Sequence, residues 1–193
     1  MDYLSEFLPS WEEACRLSSL YLDQAPWFFG AVQKRQIIEE ILPLWYEEAP
    51  QSSQSPVSGT GSLTVTPNKG GAHELALLFV IFCFGALTDM NLPPAPDNIL
   101  AERYYGLTKA ALTVEPVLER PPSVATVQTL SLMAIYEGLK SGDNSIESTW
   151  ALMGIATKLA QSVSTFPALI SFSLILMSRS VCVSVLSYFS NQN

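Results

Sequence analysis

Between His73 and Ser162 the chain carries four apolar segments, separated by short breaks rich in proline or polar residues. The first segment, 73–90, is apolar on every side, which is typical of a helix buried at the centre of a fold. At about 1.5 Å per residue it would be roughly 27 Å long, almost enough to cross a bilayer. Because amphipathic segments follow and can cover it, we interpret it as a core helix. The pattern predicts an all-α fold, a multi-helix array of antiparallel helical hairpins with about six or seven helices.

The segment after the proline pair 121–122 has the spacing of a helix. Its apolar residues recur at intervals of three and four and form one stripe: Val124, Val127, Leu130 and Ala134. Ser123 is a good N-cap, because its hydroxyl can accept from backbone N–H groups that lack a partner in the first turn. We therefore predict a helix that begins after Ser123 and ends near Gly138.

A further helix is predicted from Ile146, and the polar run 140–145 before it is short enough for an antiparallel hairpin. One side of this helix carries Trp150, Met153 or Gly154, Thr157, and Ala160 or Gln161. A glycine inside a helix costs roughly 1 kcal/mol relative to alanine, and the usual compensation is the close approach of a neighbouring helix. We therefore expect Gly154 to lie against another helix.

Residues 1–162 are predicted to form one domain in three parts. A helical arm, 1–49, comes first. A linker follows at 50–71, where Ser, Pro, Gly and Thr dominate and little can be buried. The linker contains a short SLTVT run that is too brief to form a sheet alone. The helical core then occupies 72–162.

Local signals predict several details of these helices. Ser10 and Glu13 fit a capping box at the start of the first long helix. A second helix is predicted over Gln33–Tyr46, with Pro43 kinking it or starting its last turn. In the core, Asp97 follows a proline-rich break and is expected to cap the helix after it.

Residues 163–193 differ in character from the rest, since they form a Ser/Leu/Val run without an acidic residue. Val163-Ser164 can be encoded by GTGAGT, a common splice-donor sequence. We interpret this divergent, apolar, Ser-rich tail as translated intron or another misjoined end, which sequencing the transcript across the Ser162 codon would test. The alternative is a tail-anchored helical membrane protein that uses 166–189. Arg179 lies in the middle of that segment and costs roughly 2.5–3.5 kcal/mol there, so a membrane anchor is not expected.

The charge of the chain limits its partners. Its 193 residues are enough for one domain with a core, and they carry a formal net charge of −8. Such an acidic chain is repelled by the phosphates of nucleic acids and by anionic lipids. We therefore expect no direct contact with nucleic acid. Only 15% of the residues are charged and 48% are apolar, which predicts an exposed apolar surface or a missing partner.

The residues that most often carry chemistry are few and scattered. His73 is the only histidine, and Cys83 follows it by about 15 Å along the same predicted helix, too far for a catalytic pair. Cys15 and Cys182 lie far from both in sequence, so no zinc-ligand spacing and no disulfide framework is present. We expect His73 to be a surface residue near a helix start and Cys83 to be a small buried residue.

The acidic doublets at 12–13, 39–40 and 47–48 do not predict paired catalytic carboxylates. Adjacent residues on a helix point about 100° apart, so these pairs are interpreted as solvated helix faces. The sequence therefore predicts no catalytic, cofactor-binding, metal-binding or DNA-binding residue, and it predicts that the chain is not an enzyme.

Large aromatic residues could form either a core or a small-molecule pocket, and helical spacing favours the core. The candidates are Trp11, Trp27, Trp45, Trp150, Tyr104 and Tyr105. Tyr104 and Tyr105 are adjacent and point to different sides, so at most one of them is expected to lie deep in the core.

The order of motifs AERYY, AAL, ATVQTLSLMAIYE and WALMGIATKLAQS resembles the fungal-specific transcription factor domain. This is the middle regulatory region of zinc-cluster transcription regulators, including those likened to xylanolytic activators. The specific features are Glu102-Arg103-Tyr104, Ala125-Thr126-Val127-Gln128, Trp150, Gly154 and Ala160-Gln161. With the helical start of the chain, the resemblance covers about Leu8 to Ser162.

Two departures from the family pattern are visible. The family's zinc cluster uses six closely spaced cysteines upstream of this region, and the three cysteines here are far apart. In addition, the family motif after Ala160-Gln161 continues Ser-Xaa-Gly-Leu-His-Arg-Asp, whereas Ser162 is followed here by Val163-Ser164. The chain is therefore interpreted as lacking the zinc cluster and as truncated at its C-terminal side.

The resemblance implies a regulatory part of a transcription regulator that works in the nucleus. It implies protein partners, through self-association or coregulators, and a small-molecule effector as an alternative. Family membership alone would also imply DNA and zinc binding, but the residues for both are missing from this sequence. We expect neither activity, and no cofactor, from this chain.

Overall fold

The computed structural model describes residues 2–24, 30–47, 70–117, 119, 121–140 and 145–163. Within these ranges the chain forms helices and no strand, which confirms the all-α prediction. The α-helices are α1 (Asp2–Ser5), α2 (Trp11–Gln24), α3 (Ala72–Leu87), α4 (Ile99–Val114), α5 (Val124–Leu139) and α6 (Ser145–Val163). Most of the predicted linker and of the Ser-rich tail, including the alternative anchor at 166–189, lies outside the described residues. The domain boundaries therefore stay predictions.

Helix α3 is the central helix, as its apolar circumference predicts. Every residue from Leu75 to Phe84 has an exposed fraction of 0%. The helix packs against α2, α4 and α5. Because fully burying a single Leu or Phe side chain contributes about 1.5–3 kcal/mol, this helix supplies a large share of the core.

Helices α2 and α3 approach each other closely at Gly85 in α3. A Cβ added there would lie 2.8 Å from the carbonyl carbon of Leu17 in α2 and even closer to its oxygen. Only a residue without a side chain fits beside this backbone. The prediction of such an approach at Gly154 is wrong, because a Cβ added to Gly154 would meet nothing within 4 Å. Gly154 lies on the outward side of α6, which its sequence context did not reveal.

The start of α4 is capped by Asn98 and not by Asp97, which corrects the prediction. The Asn98 Oδ1 accepts from the Ala101 N–H at 2.9 Å, and its Nδ2 donates to the Ala86 carbonyl at 2.9 Å. Asn98 is 1% exposed. A carboxylate can only accept, whereas an amide also donates, so Asn98 can join the end of α3 to the start of α4.

Helices α5 and α6 form the predicted antiparallel hairpin. The Ser123 cap is confirmed, since its Oγ accepts from the Thr126 N–H at 3.2 Å and the Thr126 Oγ1 accepts from the Ser123 N–H at 3.0 Å. Near the connected ends, the Thr149 hydroxyl donates to the Ala134 carbonyl at 3.2 Å. A hydrogen bond between these positions is typical of two helices that run in opposite directions.

The predicted apolar stripe of α5 is only partly correct. Leu130 and Ala134 are buried, but Val124 is 39% exposed and Val127 is only half-buried. Helix α5 packs between α3 and α6, so two of its sides are covered. A single helical period selects one stripe and cannot reveal a second covered side.

The arm contains a π-helix, Gln36–Ile41, followed by a 3₁₀ helix, Leu42–Leu44. Pro43 lies in this last turn, as predicted. The side-chain amides of Gln36 and Gln128 exchange two hydrogen bonds of 2.9 Å, which tie the arm to α5.

The start of α2 shows half of the predicted capping box. The Glu13 N–H donates to Ser10 Oγ at 3.4 Å, while the Glu13 carboxylate accepts from Arg16.

Candidate functional site

A cluster of hydrogen-bonded polar side chains lies between α4 and α5, and we call it the tyrosine–glutamate cluster. It consists of Glu102, Tyr105, Tyr136, Glu137 and Lys140. The Tyr136 hydroxyl donates to Glu102 Oε1 at 2.8 Å, and Lys140 Nζ lies 2.9 Å from the same oxygen. The Tyr105 hydroxyl donates to Glu137 Oε1 at 2.5 Å. The two tyrosine rings are 4.4 Å apart between centroids, so the two halves form one unit.

The protonation states in this cluster follow from burial. Burial raises the pKa of Tyr105 and of Tyr136 well above the ordinary value, and the charges of Glu137 and Glu102 raise it further. Burial also acts to raise the pKa of Glu102, but hydrogen bonds from Lys140 and Tyr136 outweigh it and lower that pKa. At neutral pH the cluster therefore holds two protonated tyrosines and an ionised Glu102.

This arrangement indicates that the cluster joins α4 to α5 and does not transfer protons. Each carboxylate already accepts from a tyrosine hydroxyl, and Glu102 also pairs with Lys140. Cys83 of α3 is 0% exposed. Burial, followed by the Glu102 charge, raises the pKa of this thiol well above its usual value, which makes it a poor nucleophile. The prediction that Cys83 is a small buried residue is confirmed.

Sequence analysis did not identify this cluster. A signal was present, because Glu102 and Tyr105 are three residues apart and Tyr136 and Lys140 are four apart, which places each pair on one helix face. The pairing of the two faces, however, depends on how α4 and α5 pack, and the sequence does not show that.

His73 is buried, so its assignment to the surface is wrong. It is 4% exposed, at the start of α3. Its Nε2 lies 2.8 Å from the Glu115 carbonyl and its Nδ1 lies 2.7 Å from Thr126 Oγ1. Because a carbonyl oxygen can only accept, Nε2 donates to Glu115, and Nδ1 shares the second hydrogen bond with the Thr126 hydroxyl. His73 thus joins α3, the end of α4 and the start of α5.

The aromatic residues do not converge on one pocket among the described residues. Trp11 packs on Tyr46 of the arm with ring centroids 5.5 Å apart. Trp150 is 56% exposed on α6, which contradicts the favoured core position. The indole N–H of Trp45 is buried and has no hydrogen-bond partner in the described ranges. Trp27 lies outside these ranges.

Tyr104 and Tyr105 are both buried, at 5% and 1% exposed, so the expectation that at most one lies deep is wrong. Tyr104 faces α3, where its ring centroid is 5.5 Å from that of Phe82. Tyr105 faces α5 through Tyr136. Helix α4 is covered on two sides, so adjacent residues can both be buried.

A second charged group joins α2 to the end of α3. Arg16 Nη1 lies 2.5 Å from Asp89 Oδ2, and Arg16 also pairs with Glu13 at 2.7 Å. The hydrogen bond from Arg16, with a further one from the Asn91 N–H, lowers the pKa of Asp89. The Asp89 side chain is 6% exposed, so this ion pair fixes the chain where it leaves the central helix.

The described residues contain neither a metal site nor a membrane-spanning helix. No group of three or more His, Cys, Asp or Glu side chains in these ranges is placed to hold a metal ion. Within the same part of the chain, no helix combines the length and the apolar character that a membrane crossing needs. The segment 166–189 is not included in either statement.

A family model described as the fungal specific transcription factor domain matches residues 31–165. This range includes the π-helical part of the arm and all of α3 to α6. No curated protein and no solved structure gives a significant match.

Proposed function

This chain belongs to the family of the fungal specific transcription factor domain, whose members are transcription regulators, and we propose that it is the regulatory part that makes no contact with DNA. In this proposal it acts in the nucleus through contacts with other proteins. It binds no zinc, needs no cofactor and is not an enzyme.

The observation that best supports protein contact is the exposed apolar surface of α6. Trp150, Ile155 and Ile146 are 56%, 45% and 38% exposed. Exposed tryptophan and isoleucine on one helix are typical of surfaces that associate with protein. The net charge of −8 supports the absence of DNA contact, because it opposes approach to phosphates.

A small-molecule effector is the less supported alternative. It would need a pocket of converging aromatic and polar groups. The described tryptophans lie on the arm and on α6, and the tyrosines and glutamates of the tyrosine–glutamate cluster are hydrogen-bonded to one another. The Trp45 indole N–H is a single unpartnered donor and is not joined by other converging polar groups among the described tryptophans.

The test is a tethered reporter assay. The full chain is fused to an unrelated DNA-binding module, and reporter transcription is compared with that of the module alone. We expect a change in reporter output that depends on the chain. A fusion that is present in the nucleus at equal amount and leaves the output unchanged would contradict the proposed role.

A mobility-shift assay tests the DNA part separately. The purified chain should leave duplex DNA unshifted at physiological salt. A shift at micromolar chain concentration would show that the chain contacts DNA itself, and the proposal would then be wrong in that part.

A further inference from the structure

Helix α6 has two unlike faces. The face toward α5 is buried and consists of Thr149, Met153, Ala156 and Ala160. These residues recur at intervals of three and four, so they form one side of the helix. The opposite face is exposed and consists of Ile146, Glu147, Trp150, Ala151, Gly154, Ile155 and Lys158. We call the second set the outward face.

The centre of the outward face is apolar and contains a depression. Ala151 and Gly154 lie at its middle, and a Cβ added to Gly154 would meet nothing within 4 Å. Trp150 and Ile155 rise on either side, at 56% and 45% exposed. Small residues beside large ones allow two helix backbones to approach closely while the large side chains fill the gaps.

The ends of the outward face carry opposite charges. Glu147 lies near the start of α6 and Lys158 lies three turns further on, roughly 16 Å along the axis. Both are exposed, and neither forms an ion pair within the described part of the chain. The face is therefore negative at one end and positive at the other.

We propose that the outward face of α6 binds the same face of a second copy of this chain, with the two helices antiparallel. A two-fold axis between residues 152 and 153 places Glu147 opposite Lys158 of the other copy. The same axis places Ala151 opposite Gly154 at the middle of the face. Trp150 and Ile155 flank that middle on opposite sides, so each lies on the same side of the interface as its own counterpart in the other copy. One axis thus satisfies both the charge pattern and the small-residue depression, as a self-complementary interface requires.

The charge pattern selects a second copy as the occupant. An unrelated helix would have to present its own acidic and basic residues at the same separation and in reverse order. A second copy presents them by symmetry. This dimer would be one of the protein contacts of the proposed function. Only its role in transcription rests on that function.

The test is sedimentation velocity on the full chain over a concentration series at low salt. We expect a monomer–dimer equilibrium. Trp150→Ala should weaken dimer formation by at least about thirtyfold, because a central tryptophan is typical of residues that dominate an interface. Circular dichroism checks that each variant keeps its helix content.

Charge reversal gives the sharper comparison. Glu147→Lys alone and Lys158→Glu alone each place like charges at both ends of the dimer and should weaken it by about tenfold or more. Mixing the two variants places opposite charges at both ends, so the mixture should dimerise again as a heterodimer. Matched controls are the exposed residues Glu12→Lys and Lys34→Glu, which should leave dimerisation unchanged.

Three results would overturn the proposal: a monomer at every concentration up to about 100 µM, a dimer indifferent to these variants, or a mixture no stronger than its components. The reporter assay separates this from the proposed function. If the Trp150→Ala variant is monomeric yet keeps its effect on the reporter, the proposed function stands and does not need the dimer. If the wild-type chain dimerises without affecting the reporter, the dimer stands and the proposed function fails.

Discussion

Gly85 and Gly106 provide a matched pair of substitutions that tests the packing of the central helix. Both glycines lie inside α-helices, α3 and α4. Replacing either with alanine should favour the helix itself by about 1 kcal/mol, because glycine loses more backbone freedom on folding. The surroundings differ, since Gly106 has nothing within 4 Å of an added Cβ and Gly85 faces the Leu17 backbone.

The net effects should therefore have opposite signs. At Gly85 an added Cβ would lie 2.2 Å from the Leu17 carbonyl oxygen, so restoring an ordinary contact of 3.4–4 Å would require that backbone to move away by about 1.2–1.8 Å. Overpacking of a core typically costs about 1–3 kcal/mol, and contact with rigid backbone belongs at the upper end of that range. After the gain of about 1 kcal/mol in helix propensity, we expect Gly85→Ala to lower the free energy of unfolding by about 2 kcal/mol. Gly106→Ala should raise it by about 1 kcal/mol.

Thermal unfolding followed by circular dichroism measures the difference. For a chain of this length each kcal/mol moves Tm by about 2–4 °C, so the two variants should differ by roughly 6–12 °C. Urea titration of the same samples gives the free energies directly. A Gly85→Ala variant as stable as Gly106→Ala would refute the close contact between α2 and α3.

Three further predictions concern individual buried groups. His73→Phe should lower the free energy of unfolding by about 1–3 kcal/mol, because the Glu115 carbonyl and the Thr126 hydroxyl each lose one hydrogen bond. Urea unfolding measures this free energy. A loss below about 0.5 kcal/mol, which is typical of substitutions at exposed positions, would contradict a stabilising role for the buried His73. The lowered pKa of Asp89 means that its contribution to stability is present above the unfolded pKa of about 3.9 and is lost as the pH falls through the folded pKa. Asp89→Asn should therefore lower Tm at pH 7 and have less effect at pH 3, and an equal effect at both would exclude the ion pair. Cys83 should react with a thiol reagent only when the chain unfolds, because burial raises the pKa of its thiol and blocks access to it. Mass spectrometry of the labelled peptide after treatment in native buffer checks this, and rapid labelling of Cys83 in that buffer would contradict it.

The elements that depend on local physics could be predicted from the sequence. The apolar circumference of α3 requires burial on all sides, and the structure shows it. The proline pair followed by Ser123 fixes the start of α5, because a capping hydroxyl acts within its own first turn. The short polar run after α5 predicts the hairpin with α6, because a connection of a few residues leaves the two helices side by side and antiparallel.

The features that depend on a partner helix could not be predicted. Gly85 resembles any small residue in an apolar run, and its role appears only when the backbone of Leu17 lies beside it. His73 near a helix start gives no local sign of burial, because the atoms it contacts belong to α5 and to the end of α4.

The cap of α4 shows the same limit at shorter range. Asp97 and Asn98 both suit an N-cap, and the choice depends on the Ala86 carbonyl, which needs a donor. The sequence alone does not show that the Ala86 carbonyl lies beside this position, so it does not distinguish Asn98 from Asp97 as the cap.

The complete enclosure of α3 has a consequence for the synthesis of the chain. Two of the helices that wrap it, α4 and α5, are encoded after it, and α5 ends at Leu139. At translation rates of about 5–20 residues per second, the ribosome needs roughly 3–10 s to produce the remaining cover. During that interval we expect the nascent chain to expose the most apolar helix of the described fold to the cytosol, where chaperones and degradation factors compete for it.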